Sequence, residues 1–335
     1  MTSASRLRLD GDALVANWRW LNAQSGEAAC GAAVKADGYG LGAREVVARL
    51  ARAGCRNFFV ATWDEAVALG DLPEGCALSV LHGVRAEDMD VAVVSSARPV
   101  LNTPAQVARW RETKLPCDVM IDTGMNRLGL WASDDLSGLR IETLMSHLAC
   151  ADEESPMNAA QLVAFTAINV SAKRRSLANS AGICLGGDYA FELTRPGLAL
   201  YGGIPRGEAV GHIAQVAHVE AQIIQRRRVF AGDSVGYGAT WIAPHDVEVA
   251  ILNLGYADGY LRSFSNIGTG GGGRFGVLGR VSMDLIAIDA SSEPGLGEGD
   301  WVSIDYDLPV AAAQSGLSQY KLLTGLGQRF KRVWL

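Results

Sequence analysis

The stretch AAVKADGYGLGA, residues 32–43, decides how this chain is read. Ala32-Ala33-Val34 has the unbroken small, apolar character of a strand end buried on both faces. Gly38-Tyr39-Gly40-Leu41-Gly42 follows as a turn. Lys35 stands between them, where a buried strand should still be apolar. A lysine facing the interior of a parallel barrel is desolvated, which lowers its pKa and frees the amine. A free amine has two chemical uses, Schiff-base formation and proton abstraction. The rival reading is a dinucleotide-binding turn. It wants a small residue at the place of Lys35 and an acidic residue about 20 positions on, ending the second strand. In NFFVATWDE (57–65) Asp64 comes late for that role, and a lone Gly-x-Gly carries little weight.

Outward from this stretch, short apolar runs alternate with amphipathic ones from about residue 10 to 215. The candidate strands are GAAVK (31–35), NFFVA (57–61), ALSVL (77–81), RPVLN (98–102), CDVMI (117–121), IETLMSH (141–147), SLAN (176–179) and GLALY (197–201). Helical patterns such as AREVVARLARAG, PAQVARWRETK and NAAQLVAFTAINVSAKRR lie between them, and DALVANWRWLNAQ precedes the first strand. Eight strands with helical crossovers fit a parallel barrel better than an open sheet. After about residue 215 the pattern alternates between Gly and Asp turns, which predicts a mainly β second domain. That domain should end in a short helix and a closing strand within SQYKLLTGLGQRFKRVWL (318–335). GTGGGG (268–273) has no helix after it and is expected to be a flexible turn rather than a phosphate cradle.

With 335 residues, 49% of them apolar and 20% charged, the chain has room for two ordinary domains and no signature of disorder. A net charge of −6 makes no case for nucleic acid or an anionic membrane surface. The basic run Arg226-Arg227-Arg228 is expected on a solvated strand or linker. Cys30, Cys55, Cys76, Cys117, Cys150 and Cys184 stand singly, without a Cys-x-x-Cys pair, so neither a metal site nor a redox dithiol is expected. The N-terminus shows no apolar signal core, and no run reaches transmembrane length. A cytoplasmic setting is expected.

Polar residues recur at the ends of the proposed strands: Lys35, Asp122 with Arg127, His147, Asn179-Ser180, and Arg195 before the last strand. In a parallel barrel those ends share one face, where active sites form. The residues carrying them also carry a resemblance. Lys35-Ala36-Asp37-Gly38-Tyr39-Gly40 resembles the pyridoxal-phosphate lysine motif of the alanine racemases. DTGMNRLG (122–129), SHLACADE (146–153), NSAG (179–182), TRPGLALYGG (194–203), GYGATW (236–241), GYADGY (255–260), GRVSMD (279–284) and QYKLLTGLGQRFKRVW (319–334) resemble further blocks of that family in order.

The resemblance implies an α/β fold, an (α/β)8 TIM-type barrel over residues 1–215, followed by a mainly β domain over 216–335 that completes the partner's active site in a homodimer. It implies a pyridoxal 5'-phosphate enzyme interconverting L- and D-alanine with two bases. Lys35 would serve the D-isomer's proton and Tyr237 of the partner subunit the L-isomer's. Phenols ionise near pH 10, so the tyrosine needs a cationic neighbourhood, which His147 and Arg195 would supply, with Asp284 in support. Arg195 would donate to the pyridine nitrogen and leave it unprotonated, a shallower electron sink favouring reprotonation. Tyr39, Asn179, Ser180, the Gly197 and Leu198 backbone, and Tyr320 would hold the cofactor. Arg127 and Met283 would meet the substrate carboxylate, and Tyr256, Asp152, Arg262 and Arg280 would line the entrance.

There are departures from the family pattern. Met120 stands where some members carry a carbamylated lysine that holds the carboxylate-binding arginine, and Ser282 where cysteine is common. Three alternatives remain: a racemase of larger amino acids such as serine, lysine or arginine, a decarboxylase of the same architecture, and a non-catalytic cofactor carrier.

Overall fold

The computed structural model describes residues 3–335. Contacts divide it into two compact units: Ala13–Ala214, and the N-terminal residues up to Asp12 together with Gln215–Leu335.

The first unit is the barrel. Its first strand is Ala29–Cys30 continued by Ala32–Ala33, broken at Gly31. A side chain at Gly31 would press on the Asn57 carbonyl and the Phe59 ring at 2.8 and 2.9 Å. Strands Asn57–Val60, Ala77–Val80, Arg98–Leu101, Pro116–Met120, Arg140–Met145 and Arg174–Ser176 follow, each parallel to the one before. The eighth, Leu193–Thr194, pairs in parallel with Ala29–Cys30 and closes the ring. Helices Ala43–Ala53, Trp63–Leu69, Pro104–Arg111 and Pro156–Thr166 return the chain outside it. Thr62, Thr103 and Ser155 cap the last three with their side-chain oxygens, and Pro104 and Pro156 occupy first turns whose N–H has no intrahelical partner.

Three expectations about the barrel are corrected. GLALY is not the last strand: Leu198–Tyr201 is a 3₁₀ turn that ends at Gly202 with φ 98°. Sheet pairing stops at Thr194, so Arg195 follows the last strand instead of preceding it. The third helical run ends at Thr166, where the polar and β-branched INVS sequence favours extended chain.

The second unit is built on an eight-stranded sheet. Its spine is the 13-residue strand Ala217–Val229. The first half pairs with Ser5–Leu9 and Trp301–Ile304, and the second half, past a bulge at Ile223/Gln225, pairs with Val247–Leu252. Ser5–Leu9 therefore belongs with the C-terminal unit, not with the barrel over 1–215 as expected. SRLRL alternates, with Leu7 and Leu9 buried and Arg6 and Arg8 both on Glu220. The final strand Lys331–Trp334 runs parallel beside it. Arg226 and Arg228 lie on the spine and pair with Glu248 and Asp246. The turn at 268–273 is held rather than flexible. Gly272 and Gly273 donate to the Asp305 carboxylate at 2.9 and 2.7 Å, so an internal anion fills that nest.

Candidate active site

Lys35 opens a left-handed turn at the end of the first barrel strand. Ala36, Asp37, Gly38 and Tyr39 have φ of 52°, 51°, 63° and 56°. Left-handed conformation costs a non-glycine residue about 1–2 kcal/mol, and such residues rarely follow one another. Backbone bonds close the turn: Gly38 N–H to Val34, Gly40 N–H to Ala36 and Gly42 N–H to Asp37, each 2.8 Å. Asp37 accepts from Ala43 N–H at 2.8 Å and starts the next helix. Strain of this kind, stabilised by its surroundings, marks functional sites.

The turn aims Tyr39 inward. Its ring is buried and stacked on Tyr201 at 4.6 Å, and Tyr201 donates to the Ala33 carbonyl at 2.8 Å. The Tyr39 hydroxyl lies against Gly197, where a Cβ would collide with it. Ser180, also buried, accepts from Gly197 N–H at 2.9 Å and Ala199 N–H at 3.3 Å. Asn179 caps Ser180–Cys184 by accepting from Gly182 N–H. Two hydroxyls and the start of the Leu198–Tyr201 turn thus meet at one edge of the mouth.

Arg195 is buried and donates to the Ser176 hydroxyl and, at 2.6 Å, to the Ser146 carbonyl. Burial lowers its pKa to about 10 against the opposing pull of buried Asp118, so it stays a cation at neutral pH. His147 is drawn down to about 3, first by burial, then by Arg195, Arg127 and Lys35. It is neutral, and the positive field expected from His147 and Arg195 together comes from the arginine. Lys35 is lowered by burial and by Arg127, with Glu65 opposing. Arg127 lines a cleft of about 280 Å³ with Asn102, Thr103, Asp122, Asn126 and Trp131.

The barrel unit thus gathers Lys35, Tyr39, Arg127, His147, Asn179, Ser180, Arg195, Gly197 and Leu198 at its strand ends, with Asp152 exposed in the loop beyond His147. The remaining candidates lie in the other unit. Tyr237 is 67% exposed on a turn between Gly236 and Gly238, which sit against Arg280. Met283 is also exposed, and its carbonyl accepts from Ala257 N–H at 2.9 Å, fixing the GYADGY turn to VSMD. Arg262 lies over the Tyr256 ring at 5.1 Å, Asp284 pairs with Arg329 at 2.6 Å, and Tyr320 is exposed.

Known proteins resemble this chain along nearly its whole length. Residues 9–205 match the family described as alanine racemase, N-terminal domain, and residues 216–334 match alanine racemase, C-terminal domain. The chain belongs to the alanine racemase family. An alanine racemase of Acidiphilium cryptum is 40% identical, covering 98% of each chain. A biosynthetic alanine racemase of Agrobacterium fabrum is 39% identical over 98% of this chain and 93% of its own. The alanine racemase of Bartonella henselae, solved with covalently bound pyridoxal phosphate, superposes with a TM-score of 0.91 at 34% identity over the whole of both chains.

The alanine racemase residues fit that cofactor by their chemistry. A lysine of lowered pKa suits condensation with an aldehyde. The cradle at Gly197 excludes a Cβ, and Tyr39 and Ser180 offer hydroxyls beside backbone amides, donors suited to a phosphate. Arg195 has donors only, which suits an unprotonated ring nitrogen.

Several contributors escaped the sequence reading. Ser146 and Ser176 orient Arg195, and Gln161 donates to the His147 carbonyl at 2.9 Å while accepting from Ala149 N–H. Arg329 clasps buried Asp258 through two bonds of 2.7 and 2.8 Å as well as reaching Asp284. Ser176 gave no signal, because its strand Arg174–Ser176 is polar throughout. Nothing in one sequence marks Gln161 or Arg329.

Proposed function

We propose that this chain is a pyridoxal-phosphate-dependent isomerase that interconverts L- and D-alanine. The observation that carries the reading is the group at the barrel mouth. A lysine of lowered pKa stands on a strained turn beside two arginines and a neutral histidine.

Pyridoxal phosphate, when bound, supplies the electron sink that makes the amino acid's Cα proton acidic. Lys35 would hold the cofactor covalently, and its Nζ would take or return the proton on the D-isomer's face. Tyr39, Ser180, Asn179 and the Gly197 and Leu198 backbone would hold the cofactor at its phosphate end. Arg195, a donor that stays protonated, would face the ring nitrogen without giving up a proton, which would limit the sink and favour reprotonation over side reactions. Arg127 orients the substrate carboxylate.

One base returns its proton to the face it came from, so inversion needs a second. We assign it to Tyr237 of the partner subunit in a homodimer, with Met283 of the partner subunit at the substrate carboxylate. The exposure of Tyr237 and Met283 on the β unit supports this. Asp284, tied to Arg329, steadies that segment, and Tyr256, Asp152, Arg262 and Arg280 line the approach. Among the described residues no helix is long and apolar enough to cross a membrane. Six free cysteines support a reducing, cytoplasmic setting.

Purified protein given L-alanine in deuterated water tests this reading. Loss of optical rotation with Cα deuteration is expected. Evolution of carbon dioxide would make the protein a decarboxylase instead, and absence of both would leave it a carrier.

A further inference from the structure

Glu65 has no role in the reading above. Thr62 caps helix Trp63–Leu69 by accepting from Glu65 N–H at 3.3 Å. In a capping box the acidic third residue turns back to the cap residue's own N–H. Glu65 reaches elsewhere. Its Oε2 accepts from Ala61 N–H at 2.7 Å, just past the second barrel strand, and its Oε1 accepts from Ala36 N–H at 2.8 Å. One carboxylate therefore joins two strand ends, and one of its partners is the residue after Lys35. Ala36 is also where the left-handed run begins, at φ 52° and ψ 47°. On the other side of Lys35, Val34 N–H is bound to the Phe59 carbonyl at 2.8 Å. Lys35 is thus tied to the second strand from both sides, by backbone before it and by Glu65 after it. The Glu65 charge also faces the amine and opposes the effect of burial and Arg127.

We propose that Glu65 is a positioning residue for the proton transfer at Lys35, anchoring the left-handed turn to the second barrel strand so that the amine keeps one place. This rests on the racemase reading. Glu65 binds the backbone amides of Ala36 and Ala61, so it acts on the reaction through the place of Lys35. A displacement of about 1 Å in a reacting group costs up to about 100-fold in rate, and the face served by Lys35 should bear it.

The test compares Glu65→Gln, Glu65→Asp and Thr62→Ala as holoenzymes. Gln presents one acceptor oxygen and sets its NH₂ against the other backbone N–H. Asp keeps the charge but is too short to span both amides. Thr62→Ala weakens the same helix start and leaves the carboxylate in place. In Glu65→Gln, single-turnover Cα-proton exchange from D-alanine should fall about 10-fold or more, with a much smaller change for L-alanine. Amide hydrogen exchange in the peptide 33–42 should accelerate, and the visible circular dichroism of the bound cofactor should change. Glu65→Asp should shift the ratio of the isomers the same way but less, and it serves if the Gln variant does not fold. Thr62→Ala should lower the melting temperature and leave the ratio alone. Equal slowing of both isomers, or unchanged exchange in 33–42, would overturn the proposal. If the wild type does not racemise alanine, the functional reading fails first, while amide exchange in 33–42 still reports the tie.

Discussion

Gly197→Ala should displace Tyr39 and loosen the cofactor while leaving the fold intact. Gly197 has φ −131° and ψ −84°, outside the left-handed region, and an added side chain there meets a space problem. An added Cβ would overlap the Tyr39 hydroxyl and lie 2.9 Å from Cζ and 3.4 Å from Cε2. Ordinary carbon contacts need about 3.5–4.0 Å, so the ring must retreat by about 1 Å. Its retreat is opposed by the Tyr201 stack at 4.6 Å, itself fixed by the hydroxyl bond to Ala33. Overpacking of this kind costs about 1–3 kcal/mol, or roughly 1–4 °C in melting temperature for a protein of this size. A hydrogen bond to a charged group contributes about 1.5–3 kcal/mol. If the hydroxyl leaves the phosphate, cofactor affinity should fall about 10- to 100-fold.

Adding Tyr39→Phe separates the two effects. The hydroxyl is the atom in closest conflict, so the double variant should recover part of the melting temperature without recovering cofactor affinity. The coupling between neighbours should reach about 0.5–3 kcal/mol. Thermal unfolding and fluorescence titration with pyridoxal phosphate measure both quantities. Wild-type stability and wild-type affinity in Gly197→Ala would refute the reasoning, because the Tyr39 hydroxyl would then not stand in that cradle.

Lys35→Ala should remove the yellow absorbance of lysine-bound cofactor, and covalent cofactor surviving in that variant would contradict the Schiff-base assignment. Tyr237→Phe should slow proton removal from L-alanine far more than from D-alanine. Mixed with Lys35→Ala chains it should recover about a quarter of wild-type activity, since random pairing makes half the dimers hybrid, each with one intact composite site. Recovery of nothing would place both bases in one chain. His147 has a folded pKa of about 3, below its unfolded value of 6.5, so between those limits the unfolded state binds the extra proton. Its contribution is present above pH 6.5 and declines as pH falls toward 3, by up to about 1.4 kcal/mol per pH unit. His147→Gln should flatten that part of the urea-unfolding stability profile, and an unchanged slope would show that the ring is not held neutral.

The barrel was legible because period and length both spoke: short apolar runs at even spacing can only be parallel strands when helices separate them. The last strand was misplaced because Leu193–Thr194 is two residues long, while the apolar GLALY beside it owes its character to burial in a 3₁₀ turn. Ser5–Leu9 went unread because its only signal is the alternation of SRLRL, five residues long, whose partner Ala217–Ala221 lies far along the chain. Candidate site residues stood out where chemistry contradicts environment, as with Lys35 at an apolar strand end. They did not where a polar residue on an ordinary helix serves a distant backbone, as Gln161 does.

Met120 raises the question of how Arg127 is placed without a lysine beneath it. Met120 is buried, so that part of the strand is packed with an apolar side chain. The loop answers through its backbone. Leu130 donates to the Met120 carbonyl at 2.9 Å, Asp122 donates to the Leu130 carbonyl at 2.9 Å, and Asp122 Oδ1 accepts from Gly124 N–H at 2.8 Å. A short parallel bridge at Ile121 and Leu130 closes the base of the loop, and Asn126 takes the left-handed turn at φ 55° just before the arginine. Gly129 is required there, since a Cβ would come within 2.6 Å of Asp122 N. The loop that carries Arg127 is therefore closed by main-chain bonds that do not depend on the side chain at 120. Met120→Lys should accordingly leave Arg127 in place and change the affinity for alanine less than Gly129→Ala, which breaks the loop's closure. A larger effect from Met120→Lys would show that the side chain beneath the arginine, and not the loop, sets the carboxylate site.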